Sequence, residues 1–377
     1  MELTLENCLK YVEDGWLTKH ESADSKLIGF KYSLATVYEQ HWDEITLQCR
    51  GIAFEKETGK VIAWPFNKFF NYQEIYAQDG SLAHIGKILN ELDGWHPFTS
   101  KRYTIAEKVD GSLGIAYFYA GEWHVKTGGF FNSDQAIWAT EFLRKNLNTE
   151  YLNTNRTYCF EIVYKSDVHV VHYDTEELVL LGIIDTKSGI EFEYWFIEEM
   201  AKVLGCRCAE KYQYDTLEET LEAVSKMDVN HEGVVMTFYN GYGDYFKVKI
   251  KSEEYLEMFH RMYCITFKKI RVHFNEELGV VDPEYAATIP EELVEMKEYV
   301  EKINTTVSTK FNIVVGIGEN ASKIEDARRR YEYVSNLAGA LTDATMAYIK
   351  MLISNGKKSA VYRSIFQVVK SELKEES

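Results

Sequence analysis

The chain has 377 residues and a mass of 43.8 kDa, more than one domain of roughly 100–200 residues holds, so two domains are expected, with room for three. Hydrophobic residues at 46%, with aromatics at 14%, exclude a disordered chain, and no apolar run approaches the ~20 residues of a membrane helix. The formal charge of −17, from 42 Lys+Arg against 59 Asp+Glu, excludes a uniformly basic nucleic-acid-binding surface but not a narrow basic groove on an acidic body.

The start, Met1-Glu2-Leu3-Thr4-Leu5-Glu6, lacks the basic and apolar regions of a signal peptide, so a soluble, unexported protein is expected, cytoplasmic and without a membrane partner; a monomer is the separate expectation for its assembly. From about residue 45 to 252 the sequence reads as short strands with occasional helices. Alternation marks strands at Gly114–Tyr119, Tyr158–Tyr164 and Tyr245–Lys251, and the continuous apolar run in Glu177–Ile184 marks a buried one. Helices are predicted near 133–147, 196–204 and 216–226. From about Ser252 onward the pattern changes. Glu291–Ile303, Ile324–Ser354 and Ser359–Leu373 carry helical spacing, and Pro290 before Glu291 and Glu292 marks a helix start with acids at the positive dipole end. The expected fold class is α+β: a mixed domain over residues 1–260, N-terminal extension included, then an all-α domain over 261–377.

Six cysteines (Cys8, Cys49, Cys159, Cys206, Cys208 and Cys264) form no CxxC pair, and Cys206-Arg207-Cys208 alone cannot build a tetrahedral zinc site. Reduced thiols follow. His169-Val170-Val171-His172, read as a strand, turns its two imidazoles to opposite faces and makes a poor metal site.

The segment Ala106-Glu107-Lys108-Val109-Asp110-Gly111-Ser112-Leu113-Gly114 places a lysine at a strand end before a glycine turn. Arg50 and Lys68 lie upstream, in Cys49-Arg50-Gly51-Ile52 and Asn67-Lys68-Phe69-Phe70-Asn71. Glu161 sits mid-strand, and Glu232 abuts the apolar run Val234-Val235-Met236. Lys247, Lys249 and Lys251 alternate with Phe246, Val248 and Ile250, so all three ammonium groups share one face. An edge strand defended by lysines is the plain alternative.

As an ordered set these motifs resemble the covalent nucleotidyltransferases, the ATP-dependent ligases and capping enzymes. Arg50-Gly51-Ile52, Lys68-Phe69-Phe70-Asn71, Asp110-Gly111-Ser112-Leu113 and Lys249-Ile250-Lys251-Ser252-Glu253-Glu254-Tyr255 narrow the likeness to the phage-type RNA ligase 1 family, over roughly residues 30–280. The resemblance implies a nucleotidyltransferase domain with antiparallel sheets and flanking helices, followed by a helical domain that selects RNA. It implies an ATP-dependent RNA ligase that joins 5′-phosphate and 3′-hydroxyl ends, nicked tRNA among its substrates, with magnesium as cofactor and manganese as a substitute.

In that resemblance Lys108 is the nucleophile that takes AMP as a phosphoramidate. An amine attacks only when neutral, and nearby cations and partial burial are expected to lower its usual pKa of ~10.4. Lys249 and Lys251 stabilise the α-phosphate, with Lys247 the alternative if the register is taken from Phe246. Arg50 and Lys68 hold phosphates, Phe70 shapes the nucleotide pocket, Glu161 accepts from the ribose, Gly111 lets the backbone approach the nucleotide, and Glu232 organises the metal-assisted step. Lys126 matches the first of two lysines common in the family, whereas Gly128 stands where the second belongs. Glu276, in Asn275-Glu276-Glu277-Leu278, is the candidate metal ligand; acids on a helix there would otherwise simply be solvated. A DNA ligase or capping enzyme fits less well, because Leu113 stands where those enzymes usually carry arginine. A non-catalytic RNA-binding scaffold is the other alternative. Arg328, Arg329 and Arg330 are the tail's candidate RNA contacts.

Overall fold

The computed structural model describes residues 2–77, 79–92, 102–165, 169–241, 244–289, 293–354 and 356–373. It divides into two compact units, Met1–Leu256 and Glu257–Ser377.

The first unit holds three sheets. One has four antiparallel strands in the order β1–β4: Leu17–Glu21, Leu27–Tyr32, Arg50–Glu55 and Val61–Ala63. The other two are built from β5 (Phe70–Asn71), β6 (Tyr103–Glu107), β7 (Ser112–Tyr119), β8 (Glu122–Thr127), β9 (Arg156–Val163), β10 (Glu177–Asp185), β11 (Lys211–Tyr212), β12 (Gly233–Gly241) and β13 (Asp244–Lys251). Their orders are β10-β9-β7-β8 and β11-β6-β12-β13-β5, all antiparallel except for the β13–β5 pair. β6 belongs to one of these sheets and β7 to the other, so the link at 108–111 crosses between them. The predicted strands and helices appear, the helices as Asp134–Asn146, Tyr194–Leu204 and Leu217–Ser225. In the sheet β1–β4, β1 and β2 lie ahead of the region that reads as strands in the sequence, and β3 and β4 fall within it.

Alternation does the sorting on β13. Phe246, Val248 and Ile250 enter a core with Ile105, Val234 and Met236, which leaves the opposite face to the three lysines.

The second unit is helical apart from the hairpin of β14 (Phe274–Asn275) and β15 (Val280–Val281). A 29-residue helix, Val294–Ser322, packs against Ala327–Ala338, Thr342–Ser354 and Lys358–Glu372 around Ile303, Val307, Val314, Val361 and Ile365. It runs well past the predicted end at Ile303, because its apolar positions keep facing that core and outweigh the cost of Gly316 and Gly318 in mid-helix. The single run predicted over Ile324–Ser354 is broken at Gly339, which has φ +52. The helix start read at Pro290–Glu292 lies outside the described residues. Among the described residues, no helix is long and apolar enough to cross a membrane.

Candidate active site

A cavity of about 230 Å³ opens in the first unit, with lining residues from all three sheets. Lys108 reaches it from the β6–β7 link, and its backbone N–H donates to the Gly233 carbonyl at 2.9 Å. Glu161 comes from β9, opposite Leu113 of β7; Glu232 immediately precedes β12; Lys249 and Lys251 come from β13, opposite Val235 and Gly233; Arg50 begins β3.

The carboxylate of Glu232, 3% exposed, bridges two lysines: Lys108 Nζ lies 2.6 Å from Oε2 and Lys251 Nζ 2.8 Å from Oε1. Both flanks of Glu232 are pinned. Ser252 N–H donates to its carbonyl at 3.0 Å, and Ser252 Oγ donates to the His231 carbonyl at 3.0 Å.

This geometry reverses one expectation. Burial works to lower the Lys108 pKa, but Glu232, Glu161 and Asp110 outweigh it and hold the ammonium above its ordinary range. The cation that is depressed is Lys249, brought down to about 7 by burial and by Lys68, Arg50, Lys108 and Lys251. Glu161 is pushed up to about 7, chiefly by burial, against the pull of Lys108. The cavity therefore holds excess positive charge around Lys249, while the carboxylates around Lys108 keep the amine protonated.

Lys247 shares the Lys249 face but meets a different environment. Its Nζ pairs with Glu191 at 2.9 Å, donates to Thr237 Oγ1 at 2.9 Å, and sits 5.0 Å from the Phe66 ring centre. It does not line the cavity; Lys249 and Lys251 do.

Lys68 and Phe70 also fall outside the cavity lining. Phe70 is buried, and Lys68 Nζ lies 4.6 Å from its ring, with Trp42 and Tyr32 completing an aromatic surround. Burial brings Lys68 down to about 8. Phe69 and Phe66 form the aromatic wall instead, and the Arg50 guanidinium lies 4.6 Å above Phe69. Adjacent residues in an extended segment face opposite ways, so the one-residue difference between Phe69 and Phe70 decides which ring meets the ligand space.

Gly111 lines the cavity, but a side chain there would collide with protein. A Cβ would lie 2.6 Å from the Ile162 carbonyl oxygen and 2.8 Å from Glu161 Cγ, so the link needs glycine to pack against β9. Lys126 is fully buried and donates to the carbonyls of Gly51 at 3.0 Å and Thr127 at 2.7 Å. It ties β8 to the residue after Arg50, and burial lowers it to about 7.

Glu276 belongs to the second unit, in the turn between β14 and β15 and not on a helix. It accepts from Arg363 Nε at 2.7 Å, a contact that holds its pKa down. His169 lies in an irregular segment, not a strand, with Nδ1 3.7 Å from Asp110 Oδ1. Asp110 itself, passed over in the sequence apart from its motif, accepts from Tyr255 Oη at 2.9 Å and from the Val171 N–H at 3.0 Å, which steadies the link two residues after Lys108.

The donor set fits a nucleotide. Arg50 Nη1 is buried with no hydrogen-bond partner among the described residues, and it stands in a cavity that also holds Lys249 and Lys251. An anionic oxygen would satisfy it. No group of three or more His, Cys, Asp and Glu suited to a metal occurs among the described residues. A divalent ion here would take most of its ligands from phosphate oxygens and water, with Glu161 or Glu232 as the protein's share.

Three sheets of the first unit thus converge on a lysine, two carboxylates and a cation cluster. Residues 48–255, more than half of the chain, match the family model described as RNA ligase, and the chain belongs to that phage-type RNA ligase family. It is 27% identical over 290 residues to a candidate bifunctional polynucleotide kinase/RNA ligase of Autographa californica nuclear polyhedrosis virus, with 72% of this chain and 39% of that one covered. It is 26% identical to a candidate RNA ligase of Thermovibrio ammonificans (71% and 66% covered) and 24% identical to an RNA ligase of Rhodothermus phage RM378 (79% and 78% covered). The chain thus spans well under half of the baculoviral relative and about two thirds of the bacterial one.

Proposed function

We propose that this protein is an ATP-dependent RNA ligase that joins a 5′-phosphate end to a 3′-hydroxyl end, with broken tRNA among its substrates. The observation that carries this reading is the Lys108 amine, held against Glu232 in a cavity that also presents Lys249, Lys251 and Arg50.

In the first step Lys108 Nζ attacks the α-phosphorus. A P–N bond forms, the P–O bond to pyrophosphate breaks, and the proton from the ammonium leaves along its existing hydrogen bond to Glu232. Because Lys108 rests protonated, Glu232 must take that proton before the amine can attack. The negative α-phosphate, drawn by Lys249 and Lys251, competes for Lys251, and Glu232, deprived of that second cation, becomes the stronger base. A divalent ion, magnesium or manganese, supplies charge neutralisation on the phosphates. Glu161, which lines the same cavity as Phe66 and Phe69, accepts from the ribose hydroxyls in this reading. In the later steps AMP passes to the RNA 5′-phosphate, and the 3′-hydroxyl then displaces it.

We assign this chemistry to the first unit and RNA choice to the helical second unit. A chain ended near residue 290 is expected to keep self-adenylylation and lose preference among RNAs; unchanged relative rates across RNAs would remove that role. The direct test of the activity is incubation with α-labelled ATP and a divalent metal, followed by denaturing electrophoresis. An acid-labile label on the wild-type chain is expected, and no label at all would overturn the reading.

A further inference from the structure

A second cavity of about 570 Å³ adjoins the first and shares Arg50, Gly111 and Leu113 with it. The two differ in charge. Glu107, Glu161 and Glu232 line the first, whereas the described lining of the second contains no acid at all. Its cations are Lys31, from β2, and Arg50, placed opposite each other in the β2–β3 register. No carboxylate pairs with Lys31 among the described residues, so its charge is not spent within the protein.

Two further features favour an anion. Ser133 and Gln135 line the wall at the start of the 13-residue helix Asp134–Asn146 and bring neutral polar groups to it, while Asp134, between them, is outside the lining. Arg50 contributes its buried, unpartnered Nη1. Gly128, also in the lining, leaves open space: a Cβ there would meet nothing nearer than the Arg50 carbonyl oxygen at 3.7 Å.

We infer that this second cavity is a phosphate-binding subsite and that Lys31 is its ligand, standing in for a side chain that Gly128 does not supply. The inference rests on the ligase reading for its substrates. Two of them carry such a phosphate: the pyrophosphoryl part of ATP and the 5′-end of the RNA strand. An acid-free pocket beside an acid-bearing one separates the charged part of a substrate from the hydroxyl-bearing part, which needs carboxylate acceptors.

The test is equilibrium binding to the full chain of inorganic pyrophosphate and, separately, of one RNA oligonucleotide with a 5′-phosphate or a 5′-hydroxyl. Lys31→Ala is expected to weaken pyrophosphate about tenfold, or to remove a similar preference for the 5′-phosphorylated strand, as loss of a charge-assisted contact does. The first outcome places the nucleotide's leaving group in the cavity and the second places the RNA end there. Adding Gly128→Lys to Lys31→Ala is expected to restore the lost binding, which a merely damaged fold would not allow. If Lys31→Ala binds both probes as the wild type does, the inference falls. If the wild-type chain takes no label from ATP yet binds pyrophosphate through Lys31, the ligase reading falls and the subsite stands.

Discussion

The two units keep their charges in opposite places. In the first, Asp110, Lys126, Glu161, Glu191, Glu232 and Lys247 are all buried. In the second, the buried polar side chains among the described residues are Thr345 and Ser359, with no buried charge. Burying a charge costs several kcal/mol unless it is paired, and a well-packed apolar group often stabilises as much (order of magnitude). A domain that carries six such groups is organised around chemistry; a domain that carries none is organised around packing.

The sharpest way to break this contrast is Lys108→Ala, which is expected to abolish labelling by α-labelled ATP; equal labelling would unseat the nucleophile. Next comes Lys249→Ala, expected on the proposed mechanism to slow adenylylation on the order of 10²-fold or more, because that mechanism sets its charge against the developing phosphate charge. Lys247→Met separates the two lysines of one face. It leaves Glu191 buried without its partner and is expected to cost about 3–5 kcal/mol of stability. Adenylylation measured well below the melting temperature should fall far less than in Lys249→Ala, and the reverse order would exchange their roles.

Acidity sharpens the comparison further. Lys249 is held at about 7 against an ordinary 10.5, so between those values the unfolded chain binds this proton and the folded chain does not. Its contribution to stability therefore grows as pH rises through that window. Glu161, held up at about 7 from 4.5, works the other way: between those values the folded chain binds the proton, and stability falls as pH rises. The wild type's urea midpoint should therefore gain on that of Lys249→Met between neutral pH and about pH 9. A constant difference would show that the ammonium is not depressed. The smallest effect belongs to the second unit, where Glu276→Ala removes a surface pair with Arg363; no measurable change in Tm and normal adenylylation are expected.

Much of the fold and of the candidate site was legible because periodicity and motif order survive without tertiary information. The β13 lysines could be placed on one face from alternation alone. Alternation cannot say where along that face the cavity ends; the motif register favours Lys249 and Lys251 over Lys247, and Glu191 beside Lys247 supplies the physical reason for the difference. The protonation of Lys108 was misjudged for a similar reason. Glu232 is 124 residues away in the chain, and only the sheet crossing brings its carboxylate within 2.6 Å. Phe69 was passed over because the extended segment around Lys68 bears aromatic rings on both sides, and its direction depends on pairing with β13. In the β1–β4 sheet, β2 and β3 each bury four consecutive residues, so neither shows the alternation that marks a half-buried strand.

The bridge from Lys108 through Glu232 to Lys251 has a bearing on chemical safety. A free, uncharged lysine in an open cavity would condense with aldehydes and other electrophiles of the cell. Here the amine is kept as an ammonium by a carboxylate that is itself tied to a second cation, so a neutral electrophile finds no lone pair. Only a ligand with enough negative charge to draw Lys251 away can loosen the arrangement. Glu232→Gln would remove the guard and leave Lys108 more open to unintended modification.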